Sequence, residues 1–199
     1  MLQTITPFAV AILIGYLFGC FNIAFIISKV KKIDLRNTGS KNLGASNTFI
    51  SIGKGLGVLV GVCDIFKCTI AIILARLIFP EIDFLPYIAG VACIMGHMFP
   101  FYLKFKGGKG FASFVGMTLG INWKFFIVIG ICIILITLIT KYIVLATMAT
   151  VISYPIFLFF NTRNLWIVAM VSVISCIIII KHYKNLIRIA KGEEFKFKI

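Results

Sequence analysis

The chain has 199 residues, of which 61% are hydrophobic and 13% charged. Lys and Arg number 20 against 6 Asp and Glu, a formal charge of +14. Soluble domains average ~45–50% apolar and ~25% charged residues, so this composition excludes a soluble enzyme, a disordered chain and a secreted disulfide scaffold, and leaves an integral membrane protein.

Crossing ~30 Å of hydrocarbon as a helix takes ~20 mostly apolar residues. The first such stretch covers residues 5–28. No basic segment precedes it and it is too long for a signal-peptide core, so it reads as a retained span. Residues 55–79 and 84–103 follow, then a short apolar stretch at 111–121, then 125–140, 143–160 and 165–180. The runs are apolar on every side. A membrane barrel alternates apolar and polar residues, so these are helices.

Charge placement orients them. Lys29, Lys31, Lys32, Arg36, Lys41 and Lys54 fall between the first two spans, Lys104, Lys106 and Lys109 after the third, and Lys181, Lys184, Arg188, Lys191, Lys196 and Lys198 after the last. The connection after Phe79 carries Glu81 and Asp83 instead. The positive-inside rule puts the three basic groups in the cytoplasm. An even number of crossings must then separate the Lys104–Gly110 loop from the tail, and this requires the short stretch 111–121 to count. The expected fold is a single all-α domain over 1–199 with seven transmembrane helices, the fourth short, the N-terminus outside and the C-terminus cytoplasmic. A re-entrant fourth segment is the alternative.

The six cysteines lie in apolar runs with no C-x-x-C spacing and read as small buried hydrophobes. No His, Cys, Asp and Glu cluster has metal-ligand spacing, so no metal is expected. The aromatics sit in the spans rather than among the basic loops, which disfavours nucleic acid.

Three polar stretches break the apolar pattern. Arg36-Asn37-Thr38-Gly39-Ser40-Lys41-Asn42-Leu43-Gly44-Ala45-Ser46-Asn47 offers amides and hydroxyls at close spacing, which suits either an anion or an ordinary turn-rich loop. Gly96-His97-Met98-Phe99-Pro100 runs on to Lys104-Phe105-Lys106-Gly107-Gly108-Lys109-Gly110, where a helix ends and another begins. Glycines admit close backbone approach, a helix N-terminus favours anions and Lys109 adds a point charge. Leu103 and Gly110 exclude a nucleotide P-loop. The third stretch carries His182, Asn185 and Arg188 three apart, roughly one helix face, followed by Gly192-Glu193-Glu194. It fits a site or a basic membrane-surface helix. Within the second span, Asp64 and Lys67 are expected to pair as structural support, with shaping of a substrate cavity as the second reading. His97 reads as a hydrogen-bonded helix partner.

In this order the motifs resemble the bacterial acyl-phosphate:glycerol-3-phosphate acyltransferases (the PlsY type) over essentially the whole chain. They run Gly-Ser-x-Asn-x-Gly-Ala-x-Asn, then Gly-His-x-Phe-Pro with Phe-Lys-Gly-Gly-Lys-Gly, then His-x-x-Asn-x-x-Arg ending in Gly-x-Glu. The resemblance implies transfer of a fatty acyl group from acyl phosphate to the 1-hydroxyl of glycerol 3-phosphate, giving lysophosphatidic acid and phosphate in phospholipid synthesis. It implies no cofactor. It also implies a bacterial cell membrane, a cytoplasmic site, membrane lipid as surroundings and the soluble acyl-phosphate-producing enzyme as a partner.

By the same resemblance Ser40, Lys109, His182 and Asn185 are catalytic. Asn42, Asn47, Lys41, Lys104, Gly107, Gly108, Gly110 and Arg188 bind substrate, and Glu193 supports the tail. The first motif departs from the family pattern at Lys41, Leu43 and Ser46, and Ile50 stands where the family has a closing Arg. A weakly active or inactive paralogue would carry such changes. A small organic-anion transporter would share the basic loops and the short fourth segment.

Overall fold

A computed structural model describes residues 2–197; Lys198 lies outside them. Among the described residues all regular structure is helical. Six helical stretches are long and apolar enough to cross a membrane: Ile5–Val30, Lys54–Ile78, Leu85–Leu103, Trp123–Thr140, Ile143–Thr162 and Leu165–Ala190. A seventh, Phe111–Ile121, has 11 residues, and at ~1.5 Å per residue it covers about half the bilayer core. The contacts divide the chain into two units, Met1–Ile121 and Asn122–Ile199.

In the first unit the stretch expected as one span over residues 5–28 is not one helix. It forms α1 (Leu2–Cys20) and α2 (Ile23–Val30), with Asn22 as the N-cap of α2, its side chain accepting from the Phe25 amide at 2.8 Å. A broken helix exposes carbonyls that lipid cannot satisfy. Other parts of the chain supply the donors: Lys67 Nζ to the Gly19 and Phe21 carbonyls at 3.1 and 2.9 Å, and the Tyr102 hydroxyl to the Cys20 carbonyl at 2.7 Å.

The short α3 (Ala45–Ser51) leads into α4 (Lys54–Ile78), and α5 (Leu85–Met98) is followed by a 3-10 turn at Phe101–Leu103. The helix α6 (Phe111–Ile121) closes the unit. Small residues bring the backbones together. A Cβ on Gly19 would lie 2.9 Å from the His97 amide nitrogen, and one on Gly96 would lie 3.0 Å from that of Cys20, so α1 and α5 touch main chain to main chain. At one end Ala11, Ala75, Leu85 and Ala89 form a buried cluster. At the other, Ala24, Leu35, Leu43, Val60 and Leu103 pack beneath the polar loops.

The second unit contains α7 (Trp123–Thr140), α8 (Ile143–Thr162) and α9 (Leu165–Ala190). Asn122 and Asn164 cap α7 and α9 through their side chains. Phe125 stacks on Phe157 at 4.2 Å between ring centroids, and Tyr154, Leu158, Val171 and Ile174 are buried. The last helix is longer than its apolar run suggests. It continues ten residues past Ile180, so the third polar stretch is a direct extension of the span.

Candidate active site

The first motif is built around one side chain. Asn47, on α3, is wholly buried. Its Nδ2 donates to the carbonyls of Leu35, Thr38 and Asn42 at 2.9, 3.0 and 3.0 Å, while its Oδ1 accepts from the Ser40 amide at 2.8 Å and the Ser51 hydroxyl at 3.2 Å. The sequence suggests substrate binding for Asn47; the structure places it inside the loop with both amide atoms engaged. Gly39 is left-handed (φ +59°), and a Cβ there would strike Asn47 Oδ1. Ser28 pins the start of the loop, its hydroxyl donating to the Ile33 carbonyl at 2.6 Å and accepting from the Leu35 amide at 3.3 Å.

Ser40 is half-buried, and among the described residues its hydroxyl makes no hydrogen bond, nor does the Asn42 side chain. Lys41 is exposed in a left-handed conformation (φ 56°). Asp34 and Arg36 pair at 3.0 Å at the loop's edge. The Arg36 guanidinium holds the Asp34 carboxyl below the usual carboxylate value, and Asp34 raises Arg36 in turn. Ile50, where the resemblance expects Arg, is 38% exposed.

The second motif folds back on the end of α5. Lys104 and Phe105 are both left-handed (φ 53° and 59°), which reverses the chain after the 3-10 turn. The Gly107 amide then donates to the Met98 carbonyl at 3.1 Å and the Gly108 amide to the His97 carbonyl at 3.0 Å. A Cβ on Gly107 would strike the His97 carbonyl oxygen and one on Gly108 would strike the imidazole, so neither position accepts a side chain. Lys104 is exposed and Lys109 half-buried. Gly110, at φ +91°, starts α6, whose first turn holds Ser113. The Ser113 hydroxyl is buried and has no hydrogen-bond partner among the described residues.

Beneath this loop lies a buried cluster. Asp64 Oδ1 and Lys67 Nζ are 2.7 Å apart on one face of α4, and His97 Nδ1 lies 2.9 Å from Lys67 Nζ and 3.3 Å from Asp64 Oδ1. The sequence shows the i, i+3 pair but not that His97 joins it.

The third motif belongs to the second unit. His182 and Asn185 are buried on α9. His182 Nδ1 is 2.8 Å from the Ile178 carbonyl oxygen. A carbonyl only accepts, so Nδ1 carries the proton and Nε2 is the basic nitrogen of the neutral ring. Gly192 (φ 73°) turns the tail back. Glu194 then accepts from Asn185 Nδ2 at 2.8 Å and from Arg188 Nε at 2.7 Å. The expected supporting acid, Glu193, is exposed; Glu194 does this work. The Gly-x-Glu spacing from Gly192 already points to Glu194. Arg188, expected on substrate, is held by Glu194.

Polar loops and a glycine cradle at a helix start, carried on helices long and apolar enough to cross a membrane, define an all-helical integral membrane protein. The chain belongs to the glycerol-3-phosphate acyltransferase family, whose model matches residues 9–192. The glycerol-3-phosphate acyltransferase 1 of Oceanobacillus iheyensis is 38% identical, covering 95% of this chain and 94% of that one. The enzyme of Thermosipho melanesiensis is 37% identical, over 94% and 90%. The crystal structure of PlsY (YgiH), an integral membrane glycerol 3-phosphate acyltransferase, in its glycerol 3-phosphate form superposes with a TM-score of 0.89 at 32% identity, covering 96% of each chain. Its lysophosphatidic acid form gives 0.85 at 31%, over 96% of this chain and 95% of that one.

Proposed function

We propose that this acyltransferase moves a fatty acyl group from acyl phosphate to the 1-hydroxyl of glycerol 3-phosphate. The hydroxyl oxygen attacks the acyl carbonyl carbon, the bond from that carbon to the phosphate oxygen breaks, and the hydroxyl proton ends on the departing phosphate. The products are lysophosphatidic acid and inorganic phosphate. An acyl phosphate is already activated, so the protein has to position two anions and stabilise the developing oxyanion. No metal or cofactor is needed.

One observation carries this reading. The Ser40 hydroxyl is half-buried and unspent while a buried Asn47 fixes its backbone. In the first unit Ser40 contacts the reacting groups, with Lys41 and Asn42 on the same loop as substrate ligands. Lys109, Lys104 and the Gly107, Gly108 and Gly110 backbone hold a substrate phosphate at the start of α6. The unpartnered buried hydroxyl of Ser113 supports an anion there, because a buried polar group without a partner is costly. In the second unit His182 Nε2 accepts the hydrogen bond of the attacking hydroxyl, and Asn185 orients it. Asp64 and Lys67 are structural support.

The charge asymmetry of the loops supports seven crossings, N-terminus outside and C-terminus inside, in a bacterial cell membrane with the reaction at the cytoplasmic face. The family match running through both units supports one functional domain over 1–199. A soluble enzyme that makes acyl phosphate would deliver the donor there.

The test is purified protein in detergent with acyl phosphate and glycerol 3-phosphate. Release of phosphate with formation of lysophosphatidic acid is expected, and Ser40→Ala and Lys109→Ala each abolish it. Turnover with acyl-CoA in place of acyl phosphate, or none with either donor, refutes the reading.

A further inference from the structure

The Asp64–Lys67–His97 cluster is buried, charged and outside the groups just given a role at the substrates. Lys67 has four oxygen or nitrogen neighbours: the Gly19 and Phe21 carbonyls, Asp64 Oδ1 and His97 Nδ1. An ammonium group donates only, and a carboxylate accepts only. His97 Nδ1 lies closer to the donor, at 2.9 Å, than to the acceptor, at 3.3 Å. The Nδ1 edge of the ring is thus turned toward Lys67 and Asp64. The Nε2 edge faces the second motif. A Cβ on Gly108 would collide with Nε2 and would lie 2.7 Å from Cε1 and 2.9 Å from Cδ2. The backbone of the same histidine also accepts the Gly108 amide. Ring and carbonyl of one residue thus hold the loop from two sides.

We propose that His97 is a positioning residue for the Gly107–Gly110 loop. Asp64 and Lys67 fix the orientation of its ring, so that its Nε2 edge packs against Gly108 and props it. The same Lys67 ties the break between α1 and α2 to the loop. The ligand held by the loop is a phosphomonoester, and this part rests on the phosphate-binding reading of Lys109. A loop that binds ground state and transition state alike affects KM rather than kcat.

Three histidine variants separate the roles. His97→Gln carries an amide nitrogen near the position of Nε2, His97→Asn one near Nδ1, and His97→Leu neither. The expected result is a KM raised tenfold or more for glycerol 3-phosphate or for acyl phosphate in His97→Leu and His97→Asn, with kcat within threefold of the parent. In His97→Gln that KM returns to within threefold. Amide exchange of residues 106–110 accelerates in His97→Leu and His97→Asn and recovers in His97→Gln. Amide exchange of residues 106–110 unchanged in His97→Leu overturns the proposal, and so does equal loss in all three variants together with a common fall in thermal stability.

Lys109→Ala, which does not turn over, is read alongside by equilibrium binding of glycerol 3-phosphate. If Lys109→Ala binds glycerol 3-phosphate like the parent while the histidine series behaves as expected in amide exchange, the phosphate assignment fails and the positioning of the loop stands. If Lys109→Ala loses that binding and His97→Leu keeps the amide exchange of the parent, the positioning role fails alone.

Discussion

Replacing Asn47 with Asp tests how the first motif is held. The substitution is nearly isosteric and keeps Oδ1, so the bond from the Ser40 amide survives. It removes the Nδ2 donor and sets a carboxylate oxygen against three carbonyl oxygens, those of Leu35, Thr38 and Asn42. The Leu35 contact is buried, while the other two are partly open to solvent. One buried carbonyl left unpaired costs ~1–3 kcal/mol, and the other two recover part of theirs from water. A net loss of about 2 kcal/mol raises the open population of the loop roughly 30-fold. Hydrogen exchange of residues 37–42 in detergent reads that factor directly, and turnover falls with it because Ser40 loses its fixed backbone. Asn47→Ala, which leaves the same carbonyls unpaired and also removes the acceptor of the Ser40 amide and the Ser51 hydroxyl, accelerates exchange as well. If Asn47→Asp exchanges and turns over like the parent protein, Asn47 is not the post that holds this loop.

In the second unit, Glu194→Gln keeps an acceptor for Asn185 but loses the charge that holds Arg188, so activity falls at least fivefold, whereas Glu193→Gln leaves the rate unchanged; steady-state turnover of both variants decides it. Gly116→Ala places a Cβ against the Ile65 carbonyl, 2.9 Å from its carbon, and the overpacking costs ~1–3 kcal/mol, read as a lower Tm in detergent. Asp34 is held below its ordinary value by Arg36, so its contribution to loop order is complete above the unfolded carboxylate value of ~3.9 and is lost as pH falls through the lower folded value. Exchange of the Arg36 amide, which donates to Asp34 Oδ1 at 3.0 Å, therefore rises at acid pH in excess of the intrinsic rate, and Asp34→Asn flattens that dependence.

The apolar runs give the long helices away because a membrane leaves helix as the only economical way to satisfy a spanning backbone. The short stretch 111–121 is legible to the residue, since Gly110 and Asn122 punctuate it at both ends. The break at Phe21–Asn22 is marked in the run from Ile5 to Ser28 by Asn22 alone, a residue type that caps helices. The groups that make a break affordable, Lys67 and Tyr102, come from 46 and 82 residues further along the chain and cannot be read locally. The extent of α9 is obscured for a different reason. Lys181, Lys184 and Arg188 look like the start of a loop, yet they are good helix formers, and the helix runs on to Ala190. Residue types at the site are legible and orientations are not. Asn47 and Asn42 look alike in the motif, and only the fold shows one buried and bonded five ways and the other with its side chain unspent.

That contrast gives a physical criterion for sorting such a site. Irregular backbone that is buried must have its carbonyls and amides paired by something, and here polar side chains do it. Asn22 caps α2, Ser28 and Asn47 pin the first loop, and Lys67 and Tyr102 close the break in α1. These residues have spent their hydrogen bonds inside the protein, so their loss first changes the shape of a loop. Ser40, Asn42, Ser46 and Ser113 stand in or beside the same loops with side chains that make no hydrogen bond among the described residues. A polar group half-buried or buried without a partner is retained at a cost unless something else pairs it. In a family whose solved relatives are named for glycerol 3-phosphate and lysophosphatidic acid forms, the partner that fits hydroxyls and amides around Lys41 and Lys109 is an anionic, hydroxyl-bearing substrate. On the proposed function the motif is two interleaved sets of residues, one that builds the backbone and one that would face the ligand, and substitutions in the two should separate by whether amide exchange or KM moves first.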